Sequence, residues 1–445
     1  MSRHSFIIVV PVADRPRHIQ ACLASLQELR RRYPYDREIV VLVADDSAAA
    51  AQVAANREIA ARFRAEGLNV IHFGPEEQWT LSAPLRATLP GVVGSKPRES
   101  FGHKGQGVMR NIAYLKVAEI LRDTSDDVLI WSLDSDQEFC VKRADGRIDY
   151  CVDYFGGLDA IFSASSALVL TGKVVGDPPV SPAVMTANFL ADVDAFLRQM
   201  ATADPRAPCR HHGTAPHHGG DAAYHDMADL FGFQPAVESC GYPCPLHGNH
   251  SEADGFADFA GRVNSFFYGE HPTRVSHYEP AELFSTVLPA RTVYAGNYVF
   301  RPQALQYFIP FASLRLRMSG PTLGRIVRAE IGARFVSANL PMLHKRTVES
   351  GGQAEFRPGI ETAAETIDMS GEFERQFYGD VMLFTTEKLT AAPYNRRLAS
   401  ADFSGTLDTT RAEMLGKYNA RQQTILSRLD AMEALLDDQA QWWRT

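Results

Sequence analysis

Two aspartates one residue apart, Asp134 and Asp136, close the apolar run Val128-Leu129-Ile130-Trp131-Ser132-Leu133, with Ser135 between them. Side chains alternate along a strand, so a strand carried through these positions would point both carboxylates the same way. Two hard oxygen donors at a strand end can hold a divalent cation and leave part of its shell open to phosphate oxygens. A departing diphosphate needs that neutralisation. The competing reading is a turn in which aspartate caps the next element, and so short a pattern does not reject it. A second group lies upstream, Gly102-His103-Lys104-Gly105-Gln106-Gly107-Val108-Met109-Arg110-Asn111. Its glycines let backbone come close to a ligand, and Lys104 and Arg110 bring positive charge to the start of a helix. It lacks the Gly-Lys-Ser/Thr ending of the phosphate-binding loop and does not directly follow the first strand, as the dinucleotide pattern does.

The elements that would position these groups read as a parallel α/β sheet. Residues 6–11 form a strand that breaks at Pro11. Ile19, Cys22, Leu23, Leu26 and Leu29 then mark a helical stripe between residues 15 and 32, and residues 38–44 form a second strand ending at Asp45-Asp46-Ser47. Strand, helix, strand implies a right-handed crossover, with ligands outside the carboxyl ends of the strands. Pro11, Asp14, Asp45 and Asp46 fall there. A carboxylate at that place can hydrogen-bond a ribose or a base edge, or simply cap a helix. A helix over 50–66 and a strand over 69–73 follow. Residues 82–102 contain Pro and Gly and read as a long loop or flap. A helix over 108–122 then feeds the Asp134 strand.

Taken together, a first strand ending in Val10-Pro11, a second ending in Asp45-Asp46-Ser47, Gly105-x-Gly107-x-x-Arg110-Asn111, and Leu133-Asp134-Ser135-Asp136 resemble the nucleotide-sugar half of GT-A glycosyltransferases of the family 2-like group. The resemblance covers about the first 140 residues and implies a GT-A fold, a Rossmann-like, mostly parallel sheet with flanking helices. It implies that Pro11, Asp14, Asp45 and Asp46 line a nucleoside pocket, that Lys104, Gly105 and Arg110 meet the diphosphate or sugar, and that Asp136 and Arg110 are catalytic. Thr292 to Arg301 resembles the second-half strand of these enzymes, which places Gly296 and Asn297 beside the sugar and Gly320 near the acceptor. A histidine after the last core strand completes the metal shell in enzymes resembling mannosylglycerate synthase, and His344 occupies that place. The implied metal set is Asp134, Asp136 and His344 on Mn²⁺ or Mg²⁺, with imidazole favouring manganese. Many inverting relatives carry an acidic pair where this chain has Pro321-Thr322. Direct displacement needs a carboxylate base at the acceptor hydroxyl, so the departure leans toward a retaining reaction, unless Glu330 or a carboxylate of the middle segment serves instead.

The whole chain sets further bounds. Its 445 residues, 45% hydrophobic and 22% charged, suffice for a large α/β domain with additions. A net charge of −8 with no long basic run argues against nucleic acid. No apolar stretch reaches the ~20 residues of a membrane span, and a cytoplasmic protein is the expectation. The reading divides the chain into a transferase domain over 1–370 and a helical extension over 371–445. Within the first lie a nucleotide half (1–140), an insert (186–280) and an acceptor and metal half (290–350). The insert gathers Cys209, His211, His212, His217, His218, His225, Cys240, Cys244, His247 and His250. The spacing from Cys240 to His250 could ligate zinc, while a surface insert rich in His and Gly explains the same composition. A helix over 409–440 carries Met414, Leu415, Tyr418, Ile425, Leu429, Met432 and Leu436, to be buried against the enzyme body or in a homodimer, and Trp442-Trp443 is expected to pack rather than meet a membrane. The function read here is transfer of a sugar from a UDP- or GDP-linked donor to a hydroxyl acceptor. The alternatives are a sugar-1-phosphate nucleotidyltransferase, disfavoured by Val12-Ala13-Asp14-Arg15-Pro16 after the first strand, and a non-catalytic nucleotide-sugar or carbohydrate binder with a zinc-stabilised insert.

Overall fold

The strand β1, His4–Val12, is buried at every position, as its unbroken β-branched run requires of a central strand. Its neighbours in space come from β2 (Ile39–Asp45), β3 (Asn69–Phe73) and β4 (Asp127–Leu133). Later segments add the two-residue β5 (Gln137–Glu138), the hairpin β6 (Val141–Lys142) and β7 (Ile148–Asp149), β8 (Val169–Gly176), β9 (Leu288–Pro289), β10 (Asn297–Phe300), β11 (Phe335–His344) and the pair β12 (Glu361–Ala363) and β13 (Thr366–Asp368). The computed structural model describes residues 3–124, 127–177, 181–182, 185–211, 241–268, 270–308, 314–345, 361–363, 366–391, 394, 397 and 399–444. The principal sheet has nine strands in the order β3-β2-β1-β4-β10-β8-β11-β5, with β9 beside β11. β1 runs parallel to β2 and β4, β2 to β3, and β8 to β11, while β10 runs antiparallel between β4 and β8. This is the α/β, mostly parallel architecture expected from the sequence.

Alternation along β1 and β4 feeds two separate cores. Phe6, Ile8, Val10, Leu129, Trp131 and Leu133 face one side, packed by α1 (Pro16–Arg32), α2 (Ala50–Ala65) and α6 (Tyr154–Ala164). Ile7, Val9, Val128 and Ile130 face the other, against α5 (Gln106–Arg122) and α10 (Ser319–Ile331). Residues 82–102 are not one loop. α3 (Pro75–Arg86) and α4 (Pro90–Val93) each begin with proline at the first helical position, where its missing N–H costs nothing. The segment is tied down by Trp79, whose ring centroid lies 5.0 Å from that of Phe101 and 3.3 Å beneath the Arg86 guanidinium.

A third cluster gathers Val193, Phe196 and Met200 of α7 (Leu190–Ala201), Phe259 of α8 (Glu252–Arg262) and Phe266 of α9 (Ser265–Tyr268), with Phe189 just before α7 and Tyr242 outside the helices. Met432 of the C-terminal helix joins it. That helix, α12 (Ser400–Asp437), starts nine residues earlier than expected and packs on α11 (Ser370–Thr390). The two tryptophans pack, as anticipated: Trp443 stacks on Phe256 at 5.1 Å and Trp442 donates to the Met200 carbonyl at 2.9 Å. No described helix is long and apolar enough to cross a membrane.

Candidate active site

β4 stops at Leu133, and the Asp134 carbonyl accepts from the Gln137 amide at 3.2 Å, closing a turn over residues 134–137. The turn parts the two carboxylates that an extended strand would have aligned. Asp134 turns toward α5, where its Oδ1 accepts from Arg110 Nη2 at 2.7 Å and from Gln106 Nε2 at 2.5 Å. Arg110 Nη2 also donates to the Ala295 carbonyl at 2.7 Å. Burial works against the guanidinium's charge, but Asp134 and the surrounding tyrosines outweigh it and raise its affinity for the proton.

Asp136 turns the other way. Its Oδ2 lies 3.6 Å from His344 Nε2 and 3.8 Å from Arg15 Nη1. Register makes this meeting inevitable: β5 pairs Gln137 with His344, and the Lys345 amide donates to the Asp136 carbonyl at 3.0 Å. His344 Nδ1 donates to the Asp177 carbonyl at 2.6 Å, because a carbonyl can only accept. Nε2 is therefore the ring nitrogen turned to Asp136, and the outer hydrogen bond fixes the ring's orientation as it does in metal-binding histidines. Asp136 is 8% exposed and His344 3%, so both are largely withdrawn from water. Ligand atoms around an octahedral ion with bonds of about 2.1 Å sit roughly 3 Å apart, within a small adjustment of this pair. A carboxylate with an imidazole suits Mn²⁺, and the carboxylate alone suits Mg²⁺. Asp134, Asp136 and His344 do not bring three donor atoms within 4.8 Å of one another: Asp136 and His344 approach each other, while Asp134 is held aside by Arg110.

The residues expected to meet a nucleoside form an interlocked acidic corner. Pro11 pairs with Ala44 in the β1–β2 register. Asp14 adopts a φ of +51°, its amide donates to Ser47 Oγ at 2.8 Å, and its carboxylate meets His103 Nε2. Asp45 accepts from the Ser47 amide at 2.9 Å and from Asn56 at 3.1 Å, and lies 3.0 Å from His72 Nε2. Burial would raise its pKa, but those partners outweigh burial and hold the carboxyl below its usual range. Asp46 accepts from Lys104 Nζ at 2.5 Å and from the Lys104 and Gly105 amides, each at 3.1 Å. Lys104 is thus a buried partner of Asp46, 4% exposed, rather than a cation presented to solvent. Gly102 is required beneath this corner, since a Cβ there would lie 2.4 Å from the Ser47 carbonyl oxygen.

On the far side, a Cβ on Gly296 would meet Gln137 Nε2 at 2.6 Å and Asp134 Oδ2 at 2.9 Å, so this glycine keeps the site's floor open. Asn297 does not face the cleft through its amide. Its Oδ1 accepts from Trp131 Nε1 at 2.9 Å, and its Nδ2 donates to the Lys173 and Leu340 carbonyls. Gly320 lets α10 approach the Val293 carbonyl, to which a Cβ would come within 2.4 Å. Thr322 spends its hydroxyl on the Met318 carbonyl at 2.8 Å, and Glu330, about 12 Å farther along the helix, accepts from Tyr394 at 3.0 Å. Neither stands as a base at the Gly320 end.

Three residues of the site went unassigned in the sequence. Arg15 directly follows Asp14, and a cation just past the first strand was its signal. Gln106 lies inside the glycine-bearing segment. Gln137 is fully buried, and its side-chain amide has no hydrogen-bond partner among the described residues. A depression of about 280 Å³ at the opposite ends of the strands is lined by Glu38, Glu119 and Asp123, an unfavourable setting for a phosphate.

No family model matches the chain, and no curated protein matches it. Among solved structures it is similar to mannosyl-3-phosphoglycerate synthase from Rubrobacter xylanophilus, at 12% identity and a TM-score of 0.33, over 77% of this chain and 67% of that one. It is also similar to glucosyl-3-phosphoglycerate synthase from Mycobacterium tuberculosis in complex with Mn²⁺, uridine diphosphate and glucosyl-3-phosphoglycerate, at 9% identity and a TM-score of 0.29, over 77% and 72% of the two chains. The same enzyme with Mg²⁺ and uridine diphosphate matches at 10% identity and a TM-score of 0.29, with the same coverage.

Proposed function

We propose that the chain is a metal-dependent GT-A glycosyltransferase that moves a sugar from a UDP- or GDP-linked donor to a hydroxyl acceptor. The observation that carries the reading is the approach of Asp136 Oδ2 and His344 Nε2 to 3.6 Å, with the outer imidazole nitrogen anchored, at the carboxyl end of the sheet. Asp136 and His344 would hold Mn²⁺ or Mg²⁺ there. The ion, when bound, neutralises the diphosphate as the glycosidic bond to it breaks. Arg110 is the cation placed to follow that developing charge, and its bond to Asp134 keeps the guanidinium oriented until phosphate oxygens compete for it. Asp134 would be a further oxygen donor for the ion. Arg15 limits repulsion between Asp136 and an incoming anion. Gln137, with its amide beside Gly296, is positioned to take a hydroxyl of the donor sugar.

The acidic corner at Asp14, Asp45 and Asp46 would serve the nucleoside through Asp14, which is the most exposed of the three side chains, while Asp45 and Asp46 fix the loops around it. With no carboxylate at Pro321-Thr322 and Glu330 remote, retention fits better than inversion. On this reading residues 1–370 act as one transferase domain and the C-terminal helices as its extension. A second copy of the chain is the partner assigned to Leu415, Leu426 and Leu429, which α12 leaves exposed. Light scattering at twice the chain mass would support that assignment, and the monomer mass would remove it.

The test is a panel of UDP- and GDP-sugars assayed for Mn²⁺-dependent release of nucleoside diphosphate. Asp136→Ala should reduce turnover at least about 100-fold. Equal turnover by the variant, or no turnover of any donor by the wild type, overturns the reading.

A further inference from the structure

Away from this site, Cys209, Cys244 and His250 bring two sulfurs and an imidazole nitrogen within 4.8 Å of one another, the one such group of three donors among the described residues. Of the ligands anticipated for the insert, Cys240 lies outside the described residues, and the spacing argument did not single out Cys209. Both described cysteines are free thiols. His250 Nε2 is 3.2 Å from Cys244 Sγ, and its Nδ1 donates to the Gly248 carbonyl at 2.9 Å. That outer bond fixes the tautomer with Nε2 turned to the sulfurs, as in metal-bound histidines. Zinc bonds of about 2.3 Å to sulfur and 2.0–2.1 Å to nitrogen place tetrahedral S and N ligands roughly 3.6 Å apart, so a small opening of this pair admits the ion.

The surroundings are built to bring these side chains together. Cys209 donates its amide to the His250 carbonyl at 3.0 Å, Cys244 donates to the His211 carbonyl at 3.2 Å, and Pro208 bridges Ser251. Gly255, in the first turn of α8, leaves room for the sulfurs, since a Cβ there would lie 3.0 Å from Cys209 Sγ and 3.8 Å from Cys244 Sγ.

We propose that Cys209, Cys244 and His250 form a structural zinc site, with a fourth position open to water or one further donor. Two soft thiolates with one imidazole select zinc over the hard cations suited to Asp136 and His344. The ion clips residue 209 to residues 244–250 and so closes the long chain connection between them, which is where a metal cross-link yields most. It makes the third hydrophobic cluster, to which Cys244 belongs, a metal-dependent unit.

The test is metal analysis of the full-length protein produced in zinc-supplemented medium and purified without chelator. About one zinc per chain is expected, falling below about one tenth in Cys209→Ser and in His250→Ala, and unchanged in Asp136→Ala. Circular dichroism establishes that each variant is folded. Should the variants not fold, cobalt exchange into the wild type decides: tetrahedral d–d absorption with thiolate charge transfer supports the site. Zinc-free wild type that takes up no cobalt, or a Cys209–Cys244 disulfide found by non-reducing peptide mapping, overturns it.

Discussion

Lys104 and Asp46 illustrate how burial changes what a charge can do. The ammonium looked available to a diphosphate, yet it is enclosed, with burial pushing its pKa down and Asp46 pushing it back up. A pair so withdrawn from water leaves a stranded charge when one partner goes. Lys104→Ala should therefore cost about 3–5 kcal/mol in urea unfolding. Unchanged stability with a raised donor KM would instead place Lys104 on the diphosphate. Gly296 is the complementary case, since the atoms a Cβ would meet are the ends of Gln137 and Asp134 rather than backbone. Gly296→Ala is expected to fold with little change in melting temperature and to lose about 100-fold in kcat/KM, because it displaces two side chains at the reacting end. Full activity in the variant would show that those side chains take no part.

At the scale of elements, the buried His271 supplies a pH dependence whose sign can be worked out. Burial, with Arg274 second, pushes its pKa from 6.5 down to about 3. Its ring lies edge-on to Phe189 and Phe266 and meets Asn188 Oδ1 at 2.9 Å. Between those two values the unfolded chain binds a proton that the folded chain refuses, so stability is complete above pH 6.5 and falls on acidification. The slope is about 1.4 kcal/mol per pH unit for one group. His271→Gln should flatten the melting temperature between pH 6.5 and about 4.5. An unchanged slope would assign the dependence to other groups. Much at this scale was legible in the sequence. β1 to β4 and α1, α2 and α5 follow from runs of apolar residues and stripes at helical spacing. The turn at 134–137 was not, because it depends on where β4 stops. That is set by its pairing with β10 at Leu133 and Asn297, a contact between residues far apart in the chain. The helices at 75–86 and 90–93 were obscured by their prolines, which start helices as readily as they break them.

For the molecule as a whole, the sheet brings residues from five separate stretches to one end: 11–15, 45–47, 102–110, 134–137 and 344–345. The sequence named most of them, since each strand end carries its own polar residues. It could not give their pairing. Asn297 reads as a polar group near a sugar until β4, β8 and β11 are seen to consume its amide, and His344, read as a metal ligand beside both Asp134 and Asp136, is set against Asp136 by its pairing with β5. The C-terminal stripe likewise splits, with Met414 and Met432 buried and Leu415 and Leu429 exposed, because α12 packs on α11 and, through Met432, on the third hydrophobic cluster. Deleting residues 438–445 removes the Trp442 and Trp443 contacts to Phe256 and Met200 and is expected to lower the melting temperature. An unaltered melting curve would make that packing incidental. The central claim is that Asp136 and His344 share one ion at the sheet's carboxyl end, and Mn²⁺ binding followed by electron paramagnetic resonance in the presence of UDP tests it most directly. The account predicts one saturable site in the wild type, weakened at least about tenfold by His344→Ala and by Asp136→Asn. Manganese bound equally well by all three proteins would contradict it.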